Sequence, residues 1–150
     1  MPVLQSETDV LLRVRRVGVC GSDVHYYETG RIGPSAVHFP FIVGHECAAV
    51  VEALGPKVDR VKVGDRVAVD PAICCHGCDQ CLAGRENTCR NLLFLGCPGQ
   101  REGCLCEYIV MPQDCCYRLG TGVTLEHGVL SEPLAIAIHA VHLAGLGPGA

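Results

Sequence analysis

The chain has 150 residues, 49% of them hydrophobic and 19% charged, enough apolar content for one folded domain with a core. A formal charge of -4, with 12 lysines and arginines scattered along the chain, leaves no basic stripe for phosphate contacts and argues against nucleic acid as a partner. No stretch of about 18 apolar residues is present to span a membrane, and residues 1–10 are too polar for a signal peptide.

In chain order, Val10, Leu12 and Val14 alternate with Leu11, Arg13 and Arg15, the two-residue period of a half-buried strand that begins almost at the first residue. Gly18, Gly21, Gly30, Gly33, Pro34 and Pro40 then punctuate a stretch expected to be irregular. Further strands are predicted over 47–54 and 66–70, set apart by Gly55-Pro56 and Gly64-Asp65. Residues 71–106 are rich in Cys and Gly with little periodicity, a loop that needs a staple to become ordered. Strand-like runs follow at 107–110 and 115–119. After Thr124 the composition turns helical, and Pro133 suits the first turn of a helix running to about residue 144. Residues 145–150 read as a turn-forming segment. The class is mainly β with a C-terminal helical segment, without repeats or low-complexity tracts.

The 12 cysteines are the unusual feature. Clustered thiols without a signal peptide point to a reducing, cytoplasmic setting, in which they act as metal ligands rather than bridges. Cys75-x2-Cys78-x2-Cys81-x7-Cys89 can close a tetrahedral shell around Zn2+ with no open position, the composition of a structural site. Cys74 is left outside it.

A second constellation is Cys20-Gly21-Ser22-Asp23-x-His25 followed by Gly44-His45-Glu46. Cys20, His45 and Glu46 offer one sulfur, one nitrogen and one oxygen from two loops, a set that leaves a coordination position open for water or substrate. Ser22 and His25 could carry a proton outward, and Asp23 could accept the second ring N–H of His45. On residue types alone, a surface or satisfied core His-Glu pair is the competing reading.

The run Gly18-Val19-Cys20-Gly21-Ser22-Asp23-Val24-His25-Tyr26, Gly30-Arg31-Ile32-Gly33 and Gly44-His45-Glu46 resembles the zinc-dependent medium-chain alcohol dehydrogenases, most closely their sorbitol and xylitol (polyol) dehydrogenase branch. The four-cysteine lobe, Gly64-Asp65-Arg66-Val67, Glu107-Tyr108 and Glu132-Pro133-Leu134 follow in the order that family shows. The resemblance implies a GroES-like catalytic barrel over residues 1–120 with its first hairpin missing, a structural zinc lobe at 71–106, and a helical connection at 121–150 leading to an absent Rossmann domain. It implies catalytic zinc on Cys20, His45 and Glu46, structural zinc on Cys75, Cys78, Cys81 and Cys89, a proton path through Ser22 and His25, and a substrate pocket touching Tyr26, Phe94 and Glu132. Relatives use the carboxylate matching Glu132 either on zinc or through water, so Glu46 and Glu132 both stand as candidates for the third ligand. The implied activity is NAD-dependent oxidation of a small secondary alcohol or polyol, in a full-length form that is a homo-oligomer.

The sequence departs from that family in three places. Ala49 stands where its zinc signature has Gly, residues 97–103 lengthen its Thr-Pro-Pro loop, and no G-x-G-x-x-G fingerprint occurs, so the chain reads as a fragment. Cys47, Cys97, Cys104, Cys106, Cys115 and Cys116 are expected as small buried hydrophobes on strands. His139 and His142 are expected as a core or surface pair, His38, His76 and His127 carry no role, and Leu134, Ile138 and Val141 form a docking face for the absent domain. A noncatalytic zinc-stabilised binding module is the rival reading, and a co-chaperonin-like subunit is disfavoured because it needs neither zinc constellation.

Overall fold

The computed structural model describes residues 1–147 and 149, so positions 148 and 150 of the expected terminal turn lie outside the described residues. The alternating N-terminal run forms β1 (Asp9–Val17), whose Val10 and Leu12 are fully buried while Arg13, Arg15 and Arg16 face out. It pairs antiparallel with β4 (Cys47–Leu54) on one side and β8 (Tyr108–Pro112) on the other. β5 (Arg66–Val69) and β9 (Cys116–Arg118) complete a five-stranded sheet in the order β8-β1-β4-β5-β9.

Between β1 and β4 the chain forms α1 (Gly21–Thr29), closed by Gly30 in the left-handed conformation at φ 72°, and a small hairpin of β2 (Arg31–Ile32) and β3 (Ser35–Ala36). This helix corrects the expectation of an irregular stretch. Only Asp23 and Tyr26 of α1 are buried, so the helix lacks the apolar stripe that periodicity detects.

Residues 71–106 carry more local structure than a stapled loop. β6 (Ala72–Ile73) pairs with β7 (Leu93–Phe94), and the excursion between them holds α2 (Asp79–Leu82) and a 3-10 turn at Glu86–Thr88. The run at 115–119 is split, a 3-10 turn at Gln113–Cys115 preceding β9.

The C-terminal helical segment is two helices, α3 (Leu125–Val129) and α4 (Ser131–Leu143), with Pro133 in the first turn of the second as expected. Thr124 caps α3 by accepting the His127 backbone N–H at 3.2 Å. Gly128 lets α3 lie directly against the sheet, because a side chain there would press on Ala48 and Leu119. By contrast α4 buries none of its residues: Leu134, Ile138 and Val141 are exposed, as are His139 and His142.

The core is built from Val10, Leu12, Val51, Val67, Leu95 and Met111. Cys47, Cys104, Cys115 and Cys116 join it as expected, but only Cys47 and Cys116 lie on strands, while Cys97 and Cys106 are half-buried. Hydrogen bonding with Cys104 and, second, burial push the Cys47 thiol far above the ordinary range, which keeps it protonated and inert. Among the described residues no helix is long and apolar enough to cross a membrane.

Candidate metal centres

In the lobe, Cys75 precedes a turn at His76, which takes the left-handed conformation at φ 54°. Cys78 caps α2, Cys81 lies on it, and Cys89 follows the 3-10 turn, so all four thiols come to one point. Their ligand atoms lie within 4.8 Å of one another. The Cys78–Cys81 and Cys75–Cys89 sulfurs are 3.5 Å apart and the Cys78–Cys89 sulfurs 4.0 Å. Sulfurs on a tetrahedron around zinc, each at about 2.3 Å, stand about 3.8 Å apart, so the cluster already has the dimensions of that shell.

Its electrostatics suit a divalent cation. Hydrogen bonds from the Gly77 backbone, then from the Asn91 side chain and Cys89, lower the Cys75 thiol to about 6. The Arg90 and Cys81 backbone N–H groups lower Cys78. Desolvation, reinforced by the hydrogen bond with Cys78, raises Cys81 to about 12. Cys75 is therefore a ready thiolate, whereas Cys81 surrenders its proton only to a cation. Arg90 and Asp79 pair across the base of the lobe, Nη2 to Oδ2 at 2.8 Å. Cys74 stays outside the cluster, its thiol 3.3 Å from the Glu86 carbonyl. His76 stands between Glu86 and Asp114, 3.5 and 3.7 Å away.

The second site forms where two chain segments meet. Cys20 lies at the N-terminus of α1, and His45-Glu46 lead directly into β4. His45 and Glu46 are buried, and a ligand atom from each of Cys20, His45 and Glu46 falls within 4.8 Å of the others. This sulfur, nitrogen and oxygen set suits a borderline ion such as zinc, with room for a further ligand.

Asp23 departs from its expected role. Its Oδ1 is 3.8 Å from His45 Nδ1, too long for a hydrogen bond. Instead Oδ2 accepts the Cys20 backbone N–H at 3.1 Å and Oδ1 accepts the Gly44 N–H at 3.0 Å. One buried carboxylate thus fastens both ligand-bearing segments together. The cue was in the sequence: an acid three residues into a helix is the spacing at which a side chain reaches back to the capping residue's N–H.

Of the other expected residues, Phe94 places its ring 5.4 Å from the His45 ring at an interplanar angle of 58°. Glu132, in the first turn of α4, is half-buried and within electrostatic reach of His45 and Glu46, but does not join the three-residue cluster. Burial raises its carboxyl, an effect that His45 opposes and Glu46 reinforces. Ser22 is half-buried and His25 exposed, three apart on α1. Tyr26 is buried beside Cys97, and desolvation first and Cys97 second raise its hydroxyl. A surface hollow lies beside the site, lined by Gly18, Asp23, Val24, Tyr27, Gly44 and Leu105, but Tyr26, Phe94 and Glu132 do not line it.

Residues 6–121 match the family model described as the alcohol dehydrogenase GroES-like domain. A "Probable D-xylulose reductase A" from Arthroderma otae is 45% identical over 149 residues, covering 99% of this chain and 42% of the relative. Among solved structures, an Escherichia coli oxidoreductase/dehydrogenase of unknown specificity superposes with a TM-score of 0.88 at 38% identity, covering 98% of this chain and 43% of that one. Galactitol-1-phosphate dehydrogenase from Escherichia coli gives 0.85 at 31% identity, covering 97% and 40%. The chain thus spans about two fifths of the length of the relatives it matches.

Proposed function

Because this chain belongs to the alcohol dehydrogenase GroES-like domain family, we propose that it is the zinc-binding catalytic portion of an NAD-dependent polyol dehydrogenase that oxidises a secondary alcohol to a ketone. The observation that carries this reading is the pair of ligand clusters, one closed and all sulfur, the other mixed and with room for a further ligand. The relative named as a D-xylulose reductase supports a small polyol as substrate.

In this reading Cys75, Cys78, Cys81 and Cys89 hold a structural zinc, and Cys20, His45 and Glu46 hold a catalytic one. When bound, the second ion supplies Lewis-acid polarisation of an alcohol oxygen, lowering its pKa. The chain's own residues do the rest. Asp23 keeps the Cys20 and His45 segments in register, and Phe94 presents an aromatic wall beside His45. Glu132, its carboxyl raised by burial, orients a substrate hydroxyl or a bridging water. Ser22 passes the released proton to His25, which is exposed and can deliver it to solvent. Tyr26 completes the polyol contacts. The hydride acceptor binds a nucleotide domain of a longer protein, and the exposed Leu134, Ile138 and Val141 of α4 are the docking face for that domain.

Metal analysis tests the reading. The purified chain should bind two zinc ions, and Cys20→Ser should retain the lobe ion alone. Cobalt in the mixed site should change its visible absorption on addition of xylitol, because the open position admits an oxygen ligand. A chain that binds one ion or none, or a cobalt spectrum indifferent to xylitol, refutes it.

A further inference from the structure

Gly18 lies two residues before Cys20, and its N–H donates to the Glu46 carbonyl at 2.8 Å, joining the end of β1 to the segment that carries His45 and Glu46. The close approach extends to the side chain. A Cβ added at Gly18 would overlap Glu46 Oε2 and stand 3.1 Å from Glu46 Cβ and 3.0 Å from Val129 Cγ1. The space that any other residue would fill at position 18 is therefore the space that the Glu46 carboxylate occupies. Val129, buried at the end of α3, borders the same space. It has little freedom to withdraw, since Gly128 beside it already lies against Ala48 and Leu119.

We infer that Gly18 is a positioning residue for the mixed metal site: the absence of its side chain, backed by Val129, creates the slot that aims the Glu46 carboxylate at Cys20 and His45. The inference rests on the metal-binding reading above. Gly18 is outside the left-handed region, so the backbone itself accepts alanine. Only the neighbours object, and the most severe objection comes from the movable end of the Glu46 side chain. A substituted chain can fold by displacing that carboxylate, and the displacement removes one of three ligands from its place.

The experiment is Co2+ titration of the 150-residue chain, following thiolate-to-cobalt absorption, with thermal unfolding as the check on folding. The lobe supplies four sulfurs and the mixed site one, which separates the two spectra. Gly18→Ala should bind the lobe ion as the wild type does and bind the second at least about tenfold more weakly, a loss of about 1.4 kcal/mol. Gly21→Ala is the control, because it lies beside Cys20 and a Cβ there meets nothing within 4 Å. It should keep both ions. If Gly18→Ala binds both with wild-type affinity, or if Gly21→Ala weakens the second equally, the slot is refuted while the metal reading stands. If the wild type takes up only the lobe ion, the metal reading fails, and the slot with it. A Gly18→Ala chain that fails to fold also overturns the inference, since the side chain has then not yielded in place of the fold.

Discussion

Cys81→Ser exposes the physics of the lobe most directly. Cys81 is the one ligand on α2, it is buried, and its thiol is held at about 12 by desolvation. Metal-free it remains protonated at neutral pH, whereas Cys75, at about 6, is already a thiolate. Zinc binding near pH 7.5 must therefore release the Cys81 proton, and the serine variant should release correspondingly fewer protons. Structural zinc contributes about 10–16 kcal/mol in small domains, so one ligand of four carries roughly 3 kcal/mol, about a hundredfold in affinity. The pH dependence of the metal-free lobe follows from the same groups. Cys75, depressed in the folded chain from 9.0 to about 6, stabilises the fold fully above pH 9 and loses that contribution as pH falls toward 6. Cys81, raised from 9.0 to about 12, contributes fully below pH 9 and loses its contribution as pH rises toward 12. Competition with a chromophoric chelator measures the affinity, a weakly buffered titration the protons, and limited proteolysis the order of residues 71–106. A Cys81→Ser chain with wild-type zinc affinity, proton release and protease resistance would refute the four-sulfur shell.

Two further substitutions separate the roles at the mixed site. Glu46→Gln should lower metal retention there, while Glu132→Gln should keep the ion and alter only the response of the cobalt spectrum to xylitol; the reverse outcome would make Glu132 the third ligand. Asp23→Asn replaces one acceptor oxygen with an amide that opposes a backbone N–H, so denaturant unfolding of the metal-free chain should show a loss of about 1–3 kcal/mol, and an unchanged midpoint would discount the clamp.

What the sequence made legible was whatever depends on short-range spacing. The strand at β1 showed in the alternation of Val10, Leu12 and Val14, and β4 was found over the same 47–54 range because Gly55-Pro56 marks its end. The convergence of the lobe cysteines was readable because four thiols within one short segment can meet whatever the rest of the chain does. Helix α1 was missed for the converse reason: with Asp23 and Tyr26 its only buried residues, it is held by capping and by contacts across the chain rather than by an apolar stripe. Asp23 shows the same limit at atomic scale. Pairing it with His45 followed from residue types, but which donors a carboxylate accepts depends on where backbone N–H groups point, and Gly44 lies 21 residues away.

The centre at Cys20, His45 and Glu46 takes this further, because its geometry depends on close approaches that no motif spells out. A glycine before a cysteine reads as a turn-former, and a valine closing a five-residue helix reads as core. Only the packing of α3 on β4 brings Val129 to the space beside Gly18 that the Glu46 carboxylate also occupies. The three ligands belong to segments that share no element: Cys20 opens α1, and His45 and Glu46 precede β4. They are held by a Gly18–Glu46 backbone hydrogen bond, the Asp23 carboxylate and the steric stop of α3. Each of these acts on backbone or carboxylate position, so perturbing any one should lower metal affinity at this centre.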